Sequence, residues 1–519
     1  MRRPSLSGSA AAGDDEGVLA EQGYKQELDR GWSVLHNFGV SFSIISVITG
    51  ITTLFQYGLT TGGPGVMASG WLVVCFFTFF VGLGMAEITS AHPTSGGPYF
   101  WAAMLAPNHK LAALFAWITG WFNFLGQVAV TTGITFGCAG LISTLATVKS
   151  AYTPSAGKTI GIYAALLISH GLVNTFGVKI LKYLNNSSIV FHSLGVFSFA
   201  VAVVAKAPTH RSASEVFGFF YDGTGGSSGG EGWSVRASPA YVAAIGCLMS
   251  QYTITGYDAS AHLSEETRKA HWAAPIGVLT SLFCSFLFGF FLILCLLFSI
   301  QDFDRTVNST YAQPVLQILI DIFGEDGAVV LFTLVILCVW HCGLFSLTSN
   351  SRMMFAFSRD RGIPGFFHHV DDRFHSPIRT VWLAAFLAFC LALPSLGSSV
   401  AFSAATSIAT IGLYISYGIP ILVGLLWPAH FKKGPFNLGI ASRPIAFVAC
   451  CWIAFITIVF CLPELNPVTS QSLNYTPVAV GIVAVGAFGS WIWARTWFTG
   501  PIRQIEAEAA GVEISDPEA

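Results

Sequence analysis

Runs of about 20 mostly apolar residues, the length an α-helix needs to cross a hydrocarbon core, recur along this chain from near residue 34 to near residue 497. No stretch between them fits a soluble domain. Composition points the same way: of 519 residues, 53% are hydrophobic and 10% are charged, against about 25% charged in soluble proteins. Too little polar area exists to face water over a body of this size, so lipid must cover it. The formal net charge of −2 lacks the basic excess that nucleic-acid binding needs.

The runs predict an all-α integral membrane protein of about twelve spans. Their approximate limits are 34–58, 66–89, 112–146, 159–178, 187–206, 239–264, 273–300, 326–356, 378–394, 399–426, 444–463 and 475–497. The segment from Pro93 to Ala106 reads as a loop with a short helix, and the Gly- and Ser-rich stretch from Thr209 to Trp233 is the longest polar interruption. With both termini in the cytoplasm, nineteen of the 25 Lys and Arg residues fall inside and six outside, the asymmetry expected of a correctly oriented membrane protein. A miscounted span would scramble it. The first 20 residues have no apolar signal core and read as part of a polar cytosolic tail. Sequons at Asn308 and Asn474 fall outside; Asn185 and Asn186 fall inside. The 11 cysteines lie in apolar runs without a C-x-x-C pair and read as small core hydrophobes. The plasma membrane is the expected location, with an organelle membrane as the alternative.

Transporters often place their site where matching helices of two repeats are interrupted. Spans 1 and 6, the first helices of two five-helix halves, each carry a Thr-Gly pair at mid-span, Thr49-Gly50 and Thr255-Gly256. Weak helix formers flank both pairs, and glycine tolerates unwinding. The alternative is two ordinary glycines at helix contacts. Unwound backbone at membrane depth persists only where it lines a cavity or meets a ligand. Free N–H groups opening the second half of span 1 suit a carboxylate, and free carbonyls suit an ammonium.

Three stretches carry a resemblance. One is Gly84-Met85-Ala86-Glu87 followed by His92-Pro93-Thr94-Ser95-Gly96-Gly97-Pro98-Tyr99. The next is Gly256-Tyr257-Asp258-Ala259-Ser260-Ala261-His262 with Glu265-Glu266-Thr267. The last runs from Thr348-Ser349-Asn350-Ser351-Arg352 to Ser358-Arg359-Asp360, with Pro364 beyond. In this order they resemble the amino acid–polyamine–organocation superfamily, over about Gly23 to Ile502. The plant bidirectional amino acid transporters, GABA permeases and fungal amine permeases are most similar; Gly434 to Gly439 and Asn474 to Val478 strengthen that match.

The resemblance implies a five-plus-five inverted repeat with helices 1 and 6 broken, two added helices, and alternating access. Spans 1, 2, 6 and 7 would rock against spans 3, 4, 8 and 9. The implied division is a tail at 1–32, a first repeat at 33–206 and an outer loop at 207–238. A second repeat at 239–426, spans 11 and 12 within 427–497, and a C-terminal tail at 498–519 complete it. It also implies that Thr49, Gly50 and Ile51 meet a substrate carboxylate. Thr253, Thr255 and Gly256 would meet its amine, and Tyr257 would gate the site. Gln127 is a further candidate lining residue.

Asp258 follows the second break, where it either binds a substrate amine or caps the next helix. Glu87, near the inner end of span 2, either pairs with a cation such as Arg352 in an inner gate or simply sits in the interface. Glu265 and Glu266 are either a solvated loop cluster or gate pairs. His192 lies in span 5, six positions after Asn186, where some proton-coupled relatives carry a lysine in place of a sodium ion. It is therefore a candidate proton-coupling group, against a neutral structural histidine. Thr348 and Ser349 resemble hydroxyls that ligate sodium in this fold, or else satisfy their own helix. The coupling ion, H+ or Na+, is left open, and no cofactor or metal cluster is expected.

The expected function is secondary active transport of an amino acid or GABA, proton-coupled or by exchange. A choline- or polyamine-type organic cation is the alternative substrate. A nutrient-sensing receptor is the alternative outside transport, though the short tails speak against it. No nucleophile–base pair or phosphate loop points to an enzyme. The expected partners are a small amino acid or amine and the lipid bilayer. Oligomeric state is not readable.

Overall fold

The computed structural model describes residues 12–226, 230–396, 401–470 and 472–501. Among these the chain is helical, with no strand and two isolated bridges. Eleven helices are long and apolar enough to cross a membrane. The twelfth span is an interrupted pair, Pro239–Thr253 and Ala259–His262, of which neither piece crosses alone.

Span 1 is three short helices, Val34–Ile45, Val47–Thr53 and Phe55–Thr60. Spans 2, 3 and 4 are Gly63–Ala91, His109–Leu145 and Ala156–Phe176, and span 5 is Lys179–Lys206. Span 7 is Ala270–Phe298. Span 8 lies within Pro314–Arg359, where Gly324 at φ 69° separates a leading helix from the crossing part. Spans 9 to 12 are Ile378–Ala392, Ala401–Leu426, Ser442–Val459 and Thr476–Ala494. Starts follow local chemistry: the side chains of Asn108, Ser155 and Ser238 accept from first-turn N–H groups, which would otherwise go unpaired.

Spans 1, 2, 6 and 7 pack on one another, as do spans 3, 4, 8 and 9. Span 10 lies against span 3, and span 11 covers spans 2 and 10. The outward side chains are apolar: Phe76, Phe176, Leu194, Phe386, Phe447 and Ile482 are all largely exposed. Such a belt suits lipid rather than water. Every cysteine is free. Asn474 is buried, and its amide donates to the carbonyls of Phe460 and Leu462, so that sequon's nitrogen is already engaged.

The N-terminal segment departs from the expected polar tail. Residues Ala12–Glu21 form a helix, and the chain up to Trp32 packs against the bundle with Leu19, Tyr24 and Trp32 buried. The end of the bundle that it covers is called the N-face below.

Candidate functional site

Span 6 breaks where its Thr-Gly pair lies. Its first helix stops at Thr253, and Gly256 takes φ 98°. A side chain there would be strained and would meet Ile44 of span 1 at 2.5 Å. Span 1 breaks one turn earlier than expected. Ser46, at φ 33°, separates the first two helices, and Thr49-Gly50 lies inside the second. The Thr49-Gly50 pair is therefore not unwound. Gly50 is instead the contact point with span 6, since a Cβ there would meet Thr253 Oγ1 at 2.3 Å and Cα at 2.7 Å.

The two breaks thus come together, and both carry open backbone groups. Among the described residues, the N–H groups of Val47 and Ile48 make no hydrogen bond, nor do the carbonyls of Thr253, Ile254 and Thr255. Thr49, Gly50, Ile51, Thr253, Thr255 and Gly256 are all buried around this contact. The Thr253 and Thr255 hydroxyls turn back onto the Met249 and Gln251 carbonyls, 2.6 Å in each case. Tyr257 is buried, with its ring 5.5 Å from Tyr417 and its hydroxyl 3.4 Å from Tyr414.

Beyond the break, Asp258 does not cap its helix. Its Oδ2 accepts from Gln127 Nε2 of span 3 at 2.8 Å and lies 3.3 Å from His262 Nε2. Its Oδ1 has no hydrogen-bond partner among the described residues. Asp258 and Gln127 are thus brought together, and His262 joins them, a residue that sequence reasoning did not weigh. The signal was there: Asp258 and His262 are four apart, one helical turn.

His192 sits in a π-helical turn, Phe191–Gly195, a distortion frequent at functional sites. Its Nε2 lies 2.7 Å from Ser46 Oγ, at the break of span 1. Its Nδ1 lies 2.9 Å from the Ser188 carbonyl. A carbonyl only accepts, so Nδ1 carries hydrogen and the neutral ring accepts at Nε2 from Ser46. Ser46 in turn bonds to Thr49. The Thr348 hydroxyl donates to Asn174 Oδ1 at 2.8 Å or to the Leu344 carbonyl at 2.9 Å. Ser349 Oγ is buried without a partner among the described residues.

The N-face is closed by buried ion pairs. Arg352 Nε donates to Glu266 at 2.8 Å, and Arg359 binds both oxygens of Glu265 at 3.0 Å. Glu265 and Glu266 are therefore partners in buried ion pairs, not a solvated cluster. The Arg359 guanidinium lies 3.8 Å over the Tyr24 ring, and the Tyr24 and Tyr99 hydroxyls each donate to Asp360 at 2.9 Å. Burial, then the neighbouring Asp360, pushes the Tyr24 phenol well above its usual range, so it remains a donor.

Glu87 is not a partner of Arg352. It accepts from the Leu438 N–H at 2.9 Å and the Ser442 hydroxyl at 2.6 Å, with Lys433 Nζ at 3.3 Å. It pins the loop between spans 10 and 11 to the end of span 2.

The family described as amino acid permease matches residues 35–486. The chain is 42% identical to "Amino-acid permease BAT1 homolog" of Oryza sativa subsp. japonica, over 97% of this chain and 99% of that protein. It is also 42% identical to "Amino-acid permease BAT1" of Arabidopsis thaliana, over 94% and 96%. Identity to the "GABA-specific permease" of Saccharomyces cerevisiae is 29%, over 98% and 90%. A bundle whose first and sixth spans break against each other, in a chain matched over nearly its whole length, belongs to the amino acid permease family.

Proposed function

We propose that this chain carries an amino acid or GABA across a membrane by alternating access, as a secondary active transporter. The observation that carries the reading is the meeting of two broken spans at Gly50 and Thr253. Open N–H groups at Val47 and Ile48 present partial positive charge, and open carbonyls from Thr253 to Thr255 present partial negative charge. A zwitterion finds both there without a charged side chain, its carboxylate toward span 1 and its ammonium toward span 6. Thr49, Ile51 and Gly256 shape the contact, Gln127 bounds it from span 3, and Tyr257 shields it.

In this reading residues 33–206 and 239–426 are inverted repeats. The N-face is cytoplasmic, which the distribution of Lys and Arg supports, and the membrane is the plasma membrane. His192 senses the proton: protonated at Nε2, it would become a donor toward Ser46 and turn the Ser46 hydroxyl away, beside Thr49. That position favours H+ over Na+ as the coupling ion.

The test is uptake of labelled GABA, a neutral amino acid and choline into liposomes holding the purified protein, with and without an inward proton gradient and sodium. Saturable GABA or amino acid uptake that rises with the proton gradient is expected. Choline uptake that amino acids do not compete with would overturn the carboxylate site at span 1.

A further inference from the structure

Asp258 and His262 form a buried acid–base pair for which packing alone gives no account. Both side chains are at most 1% exposed, 3.3 Å apart. His262 Nδ1 lies 2.8 Å from the Ser95 carbonyl, which only accepts, so Nδ1 carries hydrogen in either charge state. Nε2, facing Asp258, is then the one site where the ring gains or loses a proton. It has no aligned hydrogen-bond partner among the described residues, and neither does Asp258 Oδ1.

The surroundings do not neutralise the pair. Span 3 offers the uncharged Gln127, and span 10 offers the Tyr417 hydroxyl close to Asp258. Span 1 offers Asn37 and Ser41, bonded to the backbone of Ser260 and Tyr257. Span 7 begins with Lys269, which is exposed to solvent, and the half-buried His271. Span 8 brings Arg352 and Arg359, already paired with Glu266 and Glu265. With no added proton the pair holds a net negative charge away from water, which is costly. One proton at His262 Nε2, or on Asp258, makes it neutral.

The pair is also joined to the gate. The Ser95 residue that accepts from His262 donates its own N–H to Glu265 Oε1 at 2.9 Å. Glu265 holds Arg359, which stacks on Tyr24. A continuous chain of contacts therefore runs from the floor of the span 6 break to the N-terminal segment.

Building on the transport reading, we infer that Asp258 and His262 together bind one proton per transport cycle, and that this proton holds the N-face gate closed. While the gate is shut, the neutral pair is buried at low cost. Before the proton binds, water entering from the opposite face through the substrate site solvates the carboxylate; the proton arrives by the same route, adds to the pair, and lets it be sealed from water on both sides. When the gate opens, water reaches the carboxylate, solvates its charge, and the proton leaves on the N-face side. Proton movement and gate opening are then one event.

The test uses liposomes with the membrane potential clamped and a pH-sensitive dye inside. One unit of inward pH gradient drives about tenfold accumulation in the wild type if one proton accompanies each zwitterion, and the lumen acidifies as substrate enters. His262→Gln is expected to retain counterflow of labelled against unlabelled amino acid, and to lose both accumulation and acidification. Purified wild-type protein in weak buffer provides a check that needs no variant: substrate addition is expected to change the number of bound protons, and Asp258→Asn to abolish the change. Wild-type accumulation and acidification in His262→Gln would overturn the inference, as would wild-type counterflow with no proton movement. Absence of counterflow in the wild type would defeat the transport reading itself.

Discussion

Two glycines show how single residues set the site. Gly50 lets span 1 touch Thr253, and its Cβ would fall 2.7 Å from a backbone carbon. Gly50→Ala is expected to push the two breaks apart at a cost of about 1–3 kcal/mol. Apparent substrate affinity should then fall about tenfold for each 1.4 kcal/mol lost at the site, measured as the concentration dependence of uptake. Gly256 holds φ 98°; Gly256→Ala should cost about 1–2 kcal/mol from backbone strain alone, read as a lowered unfolding temperature in detergent. His192→Gln keeps a polar contact to Ser46 and removes the titrating group. The uptake rate of this variant is expected to vary less with pH than that of the wild type, and full pH dependence of uptake would show that His192 does not sense the proton. Thr255-Gly256 was legible as a break because only glycine occupies such a backbone region comfortably. The break at Ser46 was not, since nothing in a serine announces φ 33°. The partner of Asp258 was not legible for a related reason: Gln127 is 131 positions away, and one sequence does not show which distant residues meet.

At the scale of elements, the spans were legible because crossing lipid demands a length and an apolarity that few other structures share. The contacts between element ends were not. Glu87 paired with the loop between spans 10 and 11, whereas Arg352 took Glu266, and sequence offered no way to choose. Glu265→Gln should leave Arg359 buried without its counter-charge, a loss of about 3–5 kcal/mol borne by the closed N-face. A Ser95→Cys thiol would then label faster from that side; an unchanged rate would show that the ion pair does not hold the N-face closed. On the opposite face, the loop after span 11 carries Glu464, whose carboxyl burial pushes up to about 7 from 4.5. The folded state therefore binds more protons than the unfolded state between these values, and this group's contribution to stability falls as pH rises through that window. Glu464→Gln is expected to flatten that slope in thermal unfolding measured from pH 5 to 7.

For the whole molecule, composition and charge asymmetry specified a membrane body, and the repeated breaks pointed to transport. What they did not reveal is that the N-terminal segment belongs to the machine. Tyr24, Trp32 and Leu19 are as buried as residues of the spans, yet the stretch around them is polar enough to read as a tail. Its contacts reach Asp360 after span 8 and Thr267 before span 7, so it ties the two groups of spans together at the N-face. In the transport reading proposed above, movement of one group against the other releases it. In the proposed function a zwitterion binds where spans 1 and 6 meet and is carried across. Counterflow in liposomes measures this most directly: vesicles loaded with unlabelled GABA or a neutral amino acid, with labelled substrate outside and no ion gradient. Transient, saturable uptake of label is expected, with which other amino acids or GABA compete and which Gly50→Ala impairs. Exchange of choline alone, or no exchange of any amino acid or GABA by the wild-type protein, would contradict it.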